Sequence, residues 1–205
     1  MKFARLFLPI LALIALPAWA NIAFQVTIVT SSVAGVSGFL DMEYNGGFSS
    51  TALVSNFTAD AATTLNPASI TTQGAVGTLP GLVTMDNSNT DYDECLTFGN
   101  SISFGLDFQG TPSGTAGDIF TLSFFNSDFS GGLLTGNNND FWLAQFELDP
   151  QGNITADAYP NPSGGPSFAT ITQVTPEPGT YIPAIAGLLG LIAWQRKRKR
   201  LNSRR

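Results

Sequence analysis

The chain has 205 residues, of which 43% are hydrophobic, and its formal net charge is −6 with no histidine. All nine Lys and Arg residues lie near the two ends, at positions 2 and 5 and within 196–205, so residues 21–178 carry all fifteen acidic side chains and no basic one. A span without cationic side chains cannot neutralise phosphates, and it lacks the bases on which Ser-His, Cys-His and Schiff-base catalysis depend. The composition therefore excludes nucleic-acid binding and leaves carboxylate chemistry or the ligation of a hard cation such as calcium.

The first twenty residues have the three parts of a secretory signal peptide. Lys2 and Arg5 precede an apolar run at 6–16, and Ala18 and Ala20 place small residues where signal peptidase cleaves. The apolar run is shorter than the about 20 residues that a membrane span needs. We expect a signal helix over residues 1–20, cleavage after Ala20 and export of the remaining chain.

Residues 21–175 predict one exported, acidic, all-β domain. At 101–108 apolar and polar positions alternate without exception, which is typical of a half-buried strand. Comparable runs lie between turns rich in Gly, Asn and Pro, at 24–30, 39–44, 52–57, 119–125, 141–148 and 168–174. This spacing indicates a two-sheet β-sandwich, with a jelly roll as one variant, and the length suffices for a single core. The single cysteine, Cys95, excludes an intramolecular disulfide.

The segment 86–94 is the strongest candidate for a cation site. It contains Asp86, Asp91, Asp93 and Glu94 among amide and hydroxyl side chains. Oxygen ligands at alternate positions of a loop can surround Ca²⁺, although the spacing differs from that of an EF-hand. The alternative is a solvated acidic loop, because Asp, Asn and Ser are also the residues that turns prefer. Calcium is the one cofactor that the sequence suggests.

Two further groups of side chains suggest contact with carbohydrate. Trp142 and Tyr159 are the candidates for stacking on sugars, because their rings are apolar and their polar atoms tolerate water. Glu147 and Asp149 are the least implausible pair for a glycosidase, which needs two carboxylates about 5 to 9.5 Å apart. Residues two apart on a strand share a face, but that face is more often solvated, so we expect no enzyme activity.

The C-terminus has the layout of a membrane-sorting signal. Pro176, Glu177 and Pro178 precede an uncharged apolar stretch at 181–194. As a helix this stretch would extend about 21 Å, short of the ~30 Å hydrocarbon core unless flanking residues snorkel or the bilayer thins. The basic block behind it would stay on the cytoplasmic side, and it consists of Arg196, Lys197, Arg198, Lys199 and Arg200. An ordinary single-span tail anchor is the alternative.

With this order of motif, apolar helix and basic tail, residues 176–205 resemble the PEP-CTERM sorting domain. The resemblance implies recognition by a membrane-embedded exosortase, cleavage near the Pro-Glu-Pro motif, and release or attachment at the surface of a Gram-negative bacterium that makes exopolysaccharide. It implies little about what the β-domain binds. We expect an exported structural or adhesive protein of the cell surface or biofilm matrix, with signal peptidase, exosortase, a transient membrane anchor and exopolysaccharide as partners. A carbohydrate-binding module and a carboxylate glycosidase are the alternatives.

Overall fold

The computed structural model of the protein describes residues 22–46, 49–86, 88–111, 117–135 and 141–174. Thirteen β-strands account for most of these residues. Their bounds are β1 (Ile22–Val29), β2 (Ser37–Asn45), β3 (Ser49–Ala59), β4 (Thr64–Leu65), β5 (Thr71–Gln73), β6 (Val76–Gly77), β7 (Val83–Asp86), β8 (Ser88–Thr97), β9 (Ser101–Thr111), β10 (Asp118–Asn126), β11 (Trp142–Leu148), β12 (Ile154–Ala158) and β13 (Ala169–Val174).

Both helices predicted from the sequence, at 1–20 and 181–194, lie outside the described residues. Within the part of the chain that the structure describes, no helix has the length and apolar character to cross a membrane.

The described strands form two antiparallel sheets. The first sheet has the strand order β13-β1-β9-β3-β7-β6, and the second has the order β12-β11-β10-β2-β8-β4, with β5 also paired to β8. This arrangement confirms the predicted all-β class and is consistent with a β-sandwich. The jelly-roll variant stays a prediction.

Alternation of apolar and polar residues explains why these segments form two-faced strands. In β9 the apolar residues from Ile102 to Phe108 are buried, and the residues between them are only half-buried. The other predicted runs fall within β1, β2, β3, β10, β11 and β13, apart from single residues at their ends. The period-2 pattern therefore located these seven strands, β9 included, but not β8.

Aromatic rings from the two sheets meet in one core. The ring centroids of Phe24 in β1 and Phe146 in β11 are 5.1 Å apart, and those of Phe108 in β9 and Phe120 in β10 are 6.0 Å apart. Both pairs meet edge to face, an arrangement that aromatic rings prefer. Because residues 22–174 contain no basic side chain, this domain is stabilised by apolar burial and hydrogen bonds rather than by side-chain ion pairs.

Candidate ligand-binding face

The outer face of the second sheet is polar where its inner face is apolar. In β2, Leu40 and Met42 are fully buried in the core. Successive side chains of a strand point to opposite faces, so Asp41 and Glu43 lie on the outer side. Directly paired residues of neighbouring strands share a face, and the register therefore shows how this polar surface continues across the sheet.

Two rows of paired residues cross the sheet on this side, and together we call them the outer face. The first row joins β11, β10, β2, β8 and β5 through Trp142, Ser123, Asp41, Asp93 and Thr71. The second row begins on β12 and consists of Asp157, Gln145, Thr121, Glu43, Asp91 and Gln73. Since neighbouring strands lie about 4.8 Å apart, the first row extends for about 19 Å and the second for about 24 Å.

Acidic side chains meet in pairs at the centre of the outer face. Asp41 pairs directly with Asp93 across β2 and β8, and Glu43 pairs with Asp91. One carboxylate oxygen from each of Asp41, Asp91 and Asp93 lies within 4.8 Å of the other two. We call these three residues the carboxylate cluster. Asp41 and Asp93 are each only 7% exposed, which is unusual for an acidic side chain on the outside of a sheet.

Burial and mutual repulsion raise the pKa values of Asp41, Asp93 and Glu43. Burial, reinforced by the carboxylates of Glu43, Asp93 and Asp91, raises the pKa of Asp41 from 3.8 to about 8. Burial with the charges of Asp91 and Glu43 raises the pKa of Asp93 to about 6, and burial with Asp91 also raises the pKa of Glu43. At neutral pH the group therefore needs either protons or a cation to offset its charge.

Trp142 and Tyr159 form a half-buried aromatic pair near the β11 end of the first row. Their ring centroids are 6.3 Å apart, with the ring planes inclined by 50°. The Tyr159 hydroxyl donates a hydrogen bond of 2.5 Å to Oε1 of Gln145, whose Nε2 donates one of 2.5 Å to Oε1 of Glu147. The structure thus brings together the two residues predicted to contact sugar, and hydrogen bonds orient the tyrosine.

The prediction of a loop at 86–94 is wrong, because most of this segment is strand β8 (Ser88–Thr97). Asp91 and Asp93 are two residues apart on that strand and share its outer face, as alternate positions must. Glu94 follows them on the inner face and is fully buried in the core. Strand alternation therefore separates Glu94 from the pair with which the sequence grouped it.

Asp86, the fourth residue of the predicted cation site, ends β7 and has a local role. Its Oδ1 accepts hydrogen bonds from the backbone N–H of Ser88 at 3.0 Å and from the hydroxyls of Ser88 and Thr90 at 2.5 and 2.8 Å. These bonds, led by that from the Ser88 hydroxyl, lower the pKa of Asp86. The residue supports the connection between β7 and β8 and is not part of the carboxylate cluster.

Sequence reasoning missed Asp41 and Glu43. Both stand at polar positions of the strand predicted at 39–44, so their outward direction was readable from the alternation. Their neighbours Asp93 and Asp91 are far away in the chain, and only the pairing of β2 with β8 brings the four carboxylates together.

The predicted glycosidase pair lies at the β11–β12 hairpin. Glu147 and Asp149 line a surface depression together with Asp118 and Thr155. Asp149 accepts hydrogen bonds from the backbone of Gln151 and from the backbone and side chain of Asn153, and these bonds, led by the Asn153 amide, lower its pKa. Asp149 therefore stabilises the hairpin turn.

The residues predicted to direct export and sorting lie outside the described residues. They are Ala18 and Ala20 at the signal-peptidase site, Pro176, Glu177 and Pro178 of the motif, and Arg196, Lys197, Arg198, Lys199 and Arg200 of the basic block.

Fold and site together define a class: an acidic, all-β protein whose second sheet presents a polar outer face with an aromatic pair beside it. Comparisons with models of protein families, with curated proteins and with solved structures found no match. The resemblance of residues 176–205 to the PEP-CTERM sorting domain therefore stays a prediction.

Proposed function

We propose that this chain is an exported, non-enzymatic protein of the bacterial surface or extracellular matrix, and that it holds polysaccharide on its outer face. The observation that carries the second part is the position of Trp142 and Tyr159. Their rings lie 6.3 Å apart beside a row of hydrogen-bonding side chains on one face of one sheet.

Stacking and hydrogen bonding are the two contacts that a sugar ring needs from such a face. Aromatic rings offer a flat apolar surface to the C–H side of a sugar, and their polar tips tolerate water. Ser123, Thr121 and Gln145 lie in the adjoining positions of the two rows, but their side chains are buried, so the half-buried Trp142 and Tyr159 and the exposed Asp157 are the side chains that a sugar can reach there. Because Ser123, Asp41 and Asp93 in the middle of the first row are buried, we expect contact with a sugar chain at the β11–β12 edge of the face.

Charge sets the kind of polysaccharide that this face accepts. Residues 22–174 contain no basic side chain, and Glu43, Asp91, Asp93 and Asp41 stand in the middle of the outer face. Such a surface repels an acidic polymer through like charges. We therefore expect a neutral polysaccharide to bind directly, and an acidic one only through bridging cations.

Tryptophan fluorescence tests this binding. The full chain has three Trp residues, so Trp19→Phe with Trp194→Phe leaves Trp142 as the only reporter. We expect a saturable change of its emission on titration with neutral exopolysaccharide from the native host, and a loss of affinity of about tenfold in Tyr159→Ala. Phe129→Ala is the control, because Phe129 is an exposed aromatic that stacks on Phe39 rather than on Trp142.

A flat titration with every polysaccharide tested would contradict the binding proposal and leave a matrix protein without direct sugar contact. An equal loss in Phe129→Ala would show that the effect does not depend on the Trp142–Tyr159 pair.

The delivery part of the proposal rests on the sequence motif and has its own test. In the native host we expect the chain to lose the residues before Asn21 and the tail after about Pro178, as measured by intact mass. Replacing Pro176, Glu177 and Pro178 with alanine should leave the basic tail attached and the protein in the inner membrane. A wild-type protein that keeps its tail in the inner membrane would contradict exosortase delivery and support a membrane-tethered domain.

A further inference from the structure

We propose that Asp41, Asp91 and Asp93 bind a divalent cation, with calcium as the ion that suits their carboxylate oxygens best. The proposal stands on the carboxylate cluster alone and does not depend on polysaccharide binding. Its geometric basis is that one oxygen from each of these side chains lies within 4.8 Å of the other two, on the two adjacent strands β2 and β8.

The first argument concerns charge. Asp41 directly faces Asp93, and Glu43 directly faces Asp91, so two like-charged pairs stand side by side in the ladder between β2 and β8. Like charges in directly opposed positions destabilise a sheet. Residues 22–174 offer no Lys, Arg or His that could compensate them. Protons or cations from the solvent must therefore offset this charge, and two adjacent strands that hold three converging carboxylates are suited to a multivalent ion.

The second argument is independent of the number of acids and concerns unsatisfied oxygens. Asp93 is more than nine-tenths buried, and its carboxylate accepts no hydrogen bond from the described residues. Oδ1 of Asp91 is shielded from solvent and also has no hydrogen-bond partner there. Buried polar atoms without partners are rare, and each is costly. Here the oxygens of both residues converge with that of Asp41, which shares a hydrogen bond with Asp91, so a single ion among them would contact the oxygens without partners and replace that shared proton.

The chemistry and the spacing of the donors indicate the class of ion. The cluster offers only carboxylate oxygens, which suit hard cations rather than zinc or copper. Three oxygens within 4.8 Å of one another suit the flexible shell of Ca²⁺, with its ligands at about 2.3–2.6 Å, better than the near-ideal octahedron that Mg²⁺ demands at about 2.0–2.1 Å.

Adjoining positions can complete the coordination shell. Glu43 stands beside Asp41 on β2, and Thr71 is the register partner of Asp93 on β5. With water, these residues can bring the number of oxygen ligands to the six to eight that calcium takes. The ion would then link β5, β8 and β2, three neighbouring strands of the second sheet.

Calorimetry and thermal unfolding of the full chain, purified in mild detergent and stripped of metal with EDTA, test the proposal. We expect one calcium ion to bind per chain and to raise Tm by about 5–10 °C at a calcium concentration of about 100 times Kd. Magnesium at the same concentration should have a smaller effect, and sodium at the same ionic strength should report screening alone.

Asp93→Asn and Asp91→Asn should each abolish the calcium-dependent rise of Tm. In the metal-free state these variants should be at least as stable as the wild type, because each removes a repelling charge, so that loss of the calcium response cannot be attributed to unfolding. Asp157→Asn is the matched control, since Asp157 is an exposed acid on the same outer face but lies on β12, away from the cluster.

Several results would overturn the proposal. One is the absence of calcium binding to the wild-type chain, which needs no variant to interpret. Another is a calcium effect that is equal in Asp93→Asn and Asp157→Asn, because that would show general screening of an acidic protein. A calcium effect matched by sodium at equal ionic strength would have the same meaning.

Discussion

Tyr92 donates a hydrogen bond of 2.5 Å to Oε2 of Glu94, two residues further along β8 and on the same inner face of the second sheet. The Tyr92 oxygen also accepts a hydrogen bond of 2.9 Å from the backbone N–H of Leu79. Both side chains are fully buried, and Oε1 of Glu94 has no hydrogen-bond partner among the described residues. Burial raises the pKa of Glu94, although the bond from Tyr92 opposes that shift. A carboxyl group thus lies inside the core of a domain without basic residues.

Glu94→Gln should stabilise the protein at neutral and alkaline pH. Because the folded pKa of Glu94 is raised above its unfolded value, its contribution is complete below the unfolded pKa and is lost as the pH rises through the folded pKa. Glutamine keeps an acceptor for Tyr92 and carries no charge. We expect the free energy of unfolding at pH 8 to rise by about 1–3 kcal/mol, with little change at pH 4. Urea unfolding at both pH values measures this difference, and an equal gain at both would contradict ionisation as the cause.

Tyr92→Phe should destabilise the domain much more than Tyr159→Phe does. Removing the Tyr92 hydroxyl leaves the Leu79 N–H and Oε2 of Glu94 without their partners inside the core. We expect a loss of about 2–4 kcal/mol, as for two unsatisfied buried groups. Tyr159 is half-buried and water can replace its hydroxyl, so the control should lose about 1 kcal/mol or less. Chemical denaturation measures both losses. Similar losses in the two variants would contradict the expectation that the Tyr92 hydroxyl satisfies two buried groups of the core.

Metal-free protein should become less stable as the pH rises from about 4 to about 8. The pKa of Asp93 is about 6 and that of Asp41 about 8 in the folded protein, and both exceed their usual value of 3.8. The folded state therefore binds protons more tightly, and the stability present below about pH 4 is lost through pH 6 and 8. We expect Tm in EDTA to be about 5 °C or more lower at pH 8 than at pH 5.

Asp41→Asn should reduce this pH dependence, while Asp157→Asn should leave it unchanged. Glu94 acts in the same direction, so the slope in Asp41→Asn should fall without vanishing. Circular dichroism melts at constant ionic strength make the comparison. A slope that is the same in Asp41→Asn and in the wild type would show that the cluster does not control the pH response.

Gly38→Ala should lower stability by about 1–3 kcal/mol or more, as overpacking of a core does. A Cβ at Gly38 would overlap the backbone carbonyl oxygen of Phe125 on β10 and lie 3.0 Å from Cε2 of Phe98. The backbone oxygen cannot move without disturbing the pairing of β2 with β10. Gly131→Ala is the control, because a Cβ there meets only Nδ2 of Asn126 at 3.7 Å. Equal melting temperatures for the two variants would contradict the close approach at Gly38.

Local patterns in the sequence predicted most of the strands and part of the candidate site. Alternation marked the strands, and it placed Asp91 and Asp93 on one side of a strand once that segment was known to be β8. The same segment was predicted as a loop because its many Asp, Asn, Ser and Thr residues favour turns. The ladder with β2 outweighed that local preference, as pairing often does in sheets.

By itself, the sequence determined that residues 21–178 form an acidic span without a single basic side chain, and that its apolar residues recur with the period of β-strands. These are properties of composition and of neighbours along the chain. Only the tertiary structure decided that Asp41 faces Asp93, that Glu94 enters the core and that Trp142 lies beside Tyr159. The reason is that register depends on which strands pair and on which face the core buries, and a shift of one residue would reverse every side chain on a strand.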